Sequence, residues 1–217
     1  MVSTKIKTKR KNYTTGLIII LASLFIGLYL LIKPLQHFDN NAVSNLPILF
    51  PGLDGLMLAI TTIGSPISVV LLAFAWAGME NAWKRRDRAL IMIASLSVAP
   101  VFYLFKELFH RHRPITQYAD SLGVYSYSFP SGHATMSFSV LLTLAYLLSL
   151  RLTTLWSRVA TTFLALIVIL IGISRIYLGA HYPTDVVGGW LIGGIVLLLL
   201  RGYVSSYEHA AHKQIKS

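Results

Sequence analysis

Two histidines, His133 and His181, stand among basic residues in a chain with few charges to place. Pro130-Ser131-Gly132-His133 lies where a polar loop gives way to an apolar run. Lys106, Arg111, His112 and Arg113-Pro114 precede it, and Ser174-Arg175, His181 and Asp185 follow it. Each cluster sits at the end of a long apolar segment, where charge is costly and usually functional. A Ser-Gly helix start offers an anion unpaired backbone N–H groups and the positive end of the helix dipole. Ser131 can also cap that helix or donate its hydroxyl. A lysine supplies a point charge, and an arginine fork fits two phosphate oxygens. Lys106 and Arg113 are seven residues apart and would share a helix face, but Pro114 disfavours helix at Arg113, so that side chain is expected to turn back from the loop. Asp185 follows His181 by four residues, with Pro183 suited to a first helical turn between them. A carboxylate there can hold one imidazole nitrogen and leave the other free to attack.

Taken singly, each of these residues has a plainer explanation: a helix cap, an interfacial cation, a carboxylate near a helix start. Together they make a cationic pocket with no thiol and no carboxylate pair, which points to phosphoryl transfer. One histidine would be nucleophile and the other general acid, while the basic groups hold the oxygens. The residues alone do not say which histidine attacks, although the Asp185 spacing favours His181. Arg111 and His112 are expected to be flanking residues or headgroup contacts, and Glu107 to balance charge at a helix end. A metal is not expected, because the cluster is cationic and has one nearby carboxylate. No cofactor is implied either.

The elements that must position these groups are membrane helices. The chain is 55% hydrophobic and 12% charged, against about 25% charged in soluble domains. Its net charge of +11 falls mostly between apolar runs rather than along a stripe, so membrane orientation explains it and a nucleic-acid partner is not expected. Cysteine is absent, which removes disulfides and Cys-ligated metal. The fold expected is all-α and polytopic, with six transmembrane helices. Residues 1–11 form a basic tail, 12–204 the membrane domain and 205–217 a polar tail. The first span covers 12–32 and reads as a retained anchor, since no convincing small-residue cleavage site follows it. A loop with a short interfacial helix near 41–49 comes next. Gly64-Ser65-Pro66 divides the following apolar run into a segment at 55–63 and a helix at 65–80. Further helices are expected at 89–109, with a kink at Pro100, and at 134–150, 159–177 and 184–201. Gly188-Gly189 and Gly193-Gly194 permit close helix packing in the last. Six spans put 14 of the 19 basic residues on the side of both termini, which should be cytoplasmic. The candidate site then faces the opposite side.

Three motifs carry a resemblance. Lys106, six residues and Arg113-Pro114 form the first; Pro130-Ser131-Gly132-His133 the second; Ser174-Arg175, His181 and Asp185, at their spacings, the third. In order and spacing they resemble the type 2 phosphatidic acid phosphatase (PAP2) superfamily, in particular its bacterial membrane branch of phosphatidylglycerophosphate and undecaprenyl-pyrophosphate phosphatases. The resemblance implies that His181 attacks phosphorus to give a phosphohistidine and that Asp185 orients it. It implies that His133 protonates the leaving oxygen and later activates water. Lys106, Arg113 and Arg175, with Ser131 and the Gly132 backbone, would hold the phosphate, without a metal. The expected substrate is a membrane lipid phosphate, phosphatidylglycerol phosphate first, with undecaprenyl pyrophosphate and phosphatidic acid as rivals. The expected setting is the plasma membrane, with the site on the extracytoplasmic side and no obligate protein partner. An anion transporter would place charges deeper in several helices, and the haloperoxidases that share the pattern do not suit a hydrophobic six-span chain.

Overall fold

The computed structural model describes residues 2–116, 118 and 126–214, with side chains placed between residues 14 and 203 of those. Among the described residues the chain is all-α. Five stretches are long and apolar enough to cross a membrane: Thr14–Leu31, Arg86–Phe109, Gly132–Ser149, Thr154–Tyr177 and Pro183–Tyr203. Asp54–Ile63 and Pro66–Ala82, bent by 43° at their junction, make a sixth when counted as one span. The protein is therefore a multi-pass membrane protein.

The chain order is α1 (Val2–Leu31), α2 (Gln36–Leu49), α3 (Asp54–Ile63), α4 (Pro66–Ala82), α5 (Arg86–Ala94) and a 3-10 turn (Ser95–Ser97). Then come α6 (Val98–Phe109), α7 (Gly132–Ser149), α8 (Thr154–Tyr177) and α9 (Pro183–Gln214). Backbone groups freed within the bilayer must be satisfied locally, and both interruptions meet that demand. Between α3 and α4, Ser65 caps α4 by accepting from the Ser68 amide at 3.2 Å. Pro66 takes the first helical position, where its missing N–H costs nothing, and Ser68 Oγ donates to Thr62 O at 2.8 Å. Pro100 likewise cannot donate to the preceding turn. The expected kink takes the form of the 3-10 turn just before it, where Ser139 Oγ of α7 donates to Ser95 O at 2.8 Å.

The two ends of the burial scale lie in α7 and α1. Two thirds of α7 is inside the protein, against 6% of the apolar window of α1, most of whose side chains are exposed while Phe25 packs into the core. The α7 surfaces carry Thr135, Ser137, Ser139 and Thr143, all fully buried; small polar residues let membrane helices approach closely. From α9, Gly189 and Gly193 meet α7. A Cβ at Gly189 would lie 2.9 Å from Ser131 O, and one at Gly193 would lie 3.0 Å from Thr135 O. Only glycine allows these two backbones to touch. The contact joins the start of α7 to the start of α9, and the Ser131 amide donates to Asp185 O at 3.0 Å.

Four boundaries differ from expectation by five residues or more. Helix α2 begins at Gln36 rather than near 41. Helix α8 begins at Thr154 rather than Val159, so it takes in Arg158. Helix α1 runs from Val2, and α9 continues past Arg201 to Gln214. The reason is common to α1, α8 and α9: the added residues include only Gly202 as a breaker and no proline, and polarity alone does not end a helix.

Candidate active site

The site forms where α6 and α8 end and α7 and α9 begin. Lys106, in the last turn of α6, is buried. Its Nζ donates to Tyr127 O and Ser128 O, the latter at 3.4 Å, which ties α6 to the segment leading into α7. His110 ends α6 in the left-handed region at φ 47°, so the helix stops short of Arg113. The Arg113 guanidinium turns back and bridges two segments. Nε donates to Ser126 O at 2.9 Å and Nη2 to Ser126 Oγ at 3.0 Å. Nη1 donates to Ala180 O at 2.9 Å and lies 3.3 Å from His181 Nε2.

His181 sits in the turn between α8 and α9, and its ring nitrogens have different surroundings. Nδ1 lies 3.5 Å from Asp185 Oδ2 and 3.3 Å from Ser128 Oγ. Nε2 faces Arg113. Asp185, in the first turn of α9, accepts on Oδ2 from the Tyr182 amide at 2.9 Å and from Ser128 Oγ. Burial pushes the His181 pKa well below the usual histidine value, and the charges of Arg113, Lys106 and Arg175 and the His133 ring push the same way. A neutral imidazole with its Nε2 turned to a guanidinium has the chemistry a nucleophile would need beside an anion.

Arg175 ends α8 and is almost fully buried. Its Nη1 donates to Thr61 Oγ1 of α3 at 2.6 Å and to Tyr118 OH at 3.5 Å. Its buried Nε has no hydrogen-bond partner among the described residues. His133 is the second residue of α7 and is partly buried. Ser131 is the N-cap of α7: Oγ accepts from the Ala134 amide at 3.5 Å, which leaves its hydroxyl proton to donate. Its own amide is not free for an anion, because Asp185 O takes it. The amides of Gly132 and His133 follow at the helix start, where no intrahelical acceptor exists. Thus Lys106, Arg113, Ser131, Gly132, His133, Arg175, His181 and Asp185 converge at one end of the helix bundle.

Arg111 corrects the sequence reading. Expected as a flanking residue or headgroup contact, its side chain is instead only 8% exposed and joins two fully buried carboxylates. Nη1 donates to Asp185 Oδ1 and Thr184 Oγ1, both at 2.6 Å. Nη2 donates to Asp39 Oδ2 at 2.7 Å and Gln36 Oε1 at 3.1 Å. Asp39 also accepts from the Thr184 amide at 3.2 Å and from Thr184 Oγ1 at 2.5 Å. Helix α2, read as loop around Asp39, therefore reaches Asp185 through one guanidinium. His112 remains exposed, as a flanking residue would be. Asp39, Ser128 and Thr61 were not singled out from sequence. A lone carboxylate next to apolar runs was a usable signal for Asp39, since it needs a partner there; Ser128 and Thr61 gave none.

A membrane bundle carrying this polar cluster at one end has known relatives. Residues 88–207 match the PAP2 superfamily, and the chain belongs to it: it is an enzyme, a lipid phosphatase of the multi-pass membrane kind. Phosphatidylglycerophosphatase B of Bacillus subtilis (strain 168) is 32% identical over 169 residues, which cover 76% of this chain and 82% of the relative. The crystal structure of the transmembrane PAP2 type phosphatidylglycerolphosphate phosphatase from Bacillus subtilis matches with a TM-score of 0.75 at 26% identity. It covers 87% of this chain and 96% of that one. An undecaprenyl-diphosphatase from Sulfolobus acidocaldarius is 36% identical over 73 residues, 34% of this chain and 32% of its own.

Proposed function

We propose that the enzyme removes the terminal phosphate of a membrane lipid without a metal, through a phosphohistidine on His181. The Nε2 lone pair attacks phosphorus and the bond from phosphorus to the lipid oxygen breaks. Protonated His133 gives its proton to that oxygen. Neutral His133 then takes a proton from water, whose oxygen attacks phosphorus; the P–N bond breaks and inorganic phosphate leaves. Lys106, Arg113 and Arg175, with the Ser131 hydroxyl and the Gly132 amide, hold the phosphate oxygens as charge shifts. Asp185 and Ser128 keep the His181 ring turned so that Nε2 is the nitrogen presented. The single observation that carries this reading is that division of the ring: hydroxyl and carboxylate on Nδ1, guanidinium on Nε2. A divalent metal is disfavoured here by the three cations that surround both imidazoles.

The substrate proposed is phosphatidylglycerol phosphate, giving phosphatidylglycerol. Support comes from the name and coverage of the Bacillus relative. Undecaprenyl pyrophosphate is the second reading, supported by the shorter match to an undecaprenyl-diphosphatase. Both offer a terminal phosphoryl group at a headgroup while the tail stays in the bilayer. The proposed setting is the plasma membrane, with both termini cytoplasmic and the site extracytoplasmic, supported by the bias of basic residues toward the side of the termini. The test is phosphate release from phosphatidylglycerol phosphate, undecaprenyl pyrophosphate and phosphatidic acid in one detergent, with EDTA present. Preference for the first is expected. Release from none of them, or release that returns only with one added metal, overturns the reading.

A further inference from the structure

Helix α7 starts at the histidine site and ends 18 residues later, about 27 Å away at 1.5 Å per residue. At that far end lies a second cationic feature that the proposed chemistry does not use. Trp83, Arg85, Arg88, Leu150 and Arg151 line an open cavity of about 680 Å³. It forms between the α4–α5 turn and the end of α7. The Arg151 Nη2 is paired with Glu80, which is fully buried in α4. The same guanidinium lies 4.5 Å from the centre of the Trp83 ring and 5.6 Å from that of Trp76, so it is held from three sides. Glu80 balances one arginine of the three. Asp87 is exposed beside Lys84 and Arg86, and does not cancel the excess.

Two of the lining groups also carry N–H bonds without acceptors. Arg88 Nη1 and Arg151 Nε are buried and have no hydrogen-bond partner among the described residues. Guanidinium donors match the paired oxygens of a phosphate; these two N–H groups are closed off from solvent, whereas the Arg85 side chain is exposed at the cavity. Among the described residues the lining includes no imidazole, hydroxyl or thiol, so the cavity is suited to bind an anion and not to transform one. It opens where α4 and α7 end and α5 begins, at headgroup depth for spans of this length. Trp83 is more than half exposed there, as an interfacial indole is, and Leu150 adds an apolar wall.

We propose that this cavity binds the phosphate of an anionic phospholipid headgroup from the leaflet opposite the histidine site. Arg85 and Arg88 supply the charge, and the Arg151–Glu80 pair and Trp83 form the floor. Basic pockets between membrane helices take such headgroups.

The test is native mass spectrometry of the intact protein in detergent, offered phosphatidylglycerol or phosphatidylcholine of identical chains. Wild type is expected to retain phosphatidylglycerol in preference. Arg85→Gln, at an exposed side chain that leaves the Arg151–Glu80 pair intact, should lower that retention roughly fivefold, and Arg85→Gln with Arg88→Gln further. Arg85→Lys with Arg88→Lys should recover much of it, which a folding defect would not. Phosphatidylglycerol is also the proposed product of the histidine site, but any lipid held there is common to all of these proteins and cancels between wild type and variants, so the variants carry the test. Equal retention of both lipids, or unchanged retention in Arg85→Gln, overturns the proposal. Displacement of the lipid by millimolar inorganic phosphate as readily as by phosphatidylglycerol would assign the cavity to a soluble anion and overturn the lipid source.

Discussion

His181 is neutral because it is buried, and its burial lies among cations. That combination fixes the sign of its pH response. With the folded pKa below the ordinary histidine value of about 6.5, the His181 ring stays unprotonated as pH falls through that value. The free enzyme's kcat/KM should therefore show no His181 limb near pH 6.5; an acid limb there would assign the group an ordinary environment and remove the proposed role. His181→Ala should leave no acid-labile phosphoprotein and no turnover. His133→Ala should slow turnover by about 10²–10⁴-fold, the usual share of a general acid, and rapid-quench labelling with radioactive substrate separates the two variants. Asp39 acts one layer out. Asp39→Asn removes a fully buried charge from Arg111, and breaking a buried pair costs roughly 3–5 kcal/mol. Thermal unfolding should show a lower midpoint, and kcat should fall more than KM rises, because Asp39 touches Arg111 and not the phosphate pocket.

Among the elements, the α7–α9 contact decides whether the second and third motifs meet. The Ser131 amide reaches Asp185 O only because Gly189 has no side chain. Gly189→Val would push a branched side chain into the Ser131 carbonyl, and backbone cannot step aside as a flexible side chain does. Activity should drop with the loss of a folded species, seen as earlier elution or aggregation in size-exclusion chromatography; a well-folded, fully active Gly189→Val protein would refute the close contact. The elements most legible in sequence were those with long uncharged runs, and the Gly64-Ser65-Pro66 break was legible because Pro66 and the Ser65 cap act locally. Helix α2 was less legible. Pro47 and the polar residues around Asp39 have weak helical preference, and the helix is held by its carboxylate's bonds to Arg111 and Thr184, partners more than 70 residues away.

At the scale of the whole molecule, orientation is open to direct measurement. The chain has no cysteine, so single cysteines at exposed positions report their side of the membrane. His112→Cys lies near the histidine site and Thr153→Cys near the arginine cavity. An impermeant maleimide added to intact cells should label the first and leave the second until the membrane is opened. The reverse pattern would invert the proposed topology. Sequence alone determined that this is a helical membrane protein and marked the spaced residues that meet at one end of the bundle, because apolar run length, helix breakers and motif spacing are local properties of the chain. Tertiary structure decided which groups face each nitrogen of His181, that Arg111 links two carboxylates rather than touching lipid, and that three arginines share a cavity at the far end. Those outcomes depend on where distant helices come into register, and a buried charge selects its partner by position in space, which spacing along the chain does not encode.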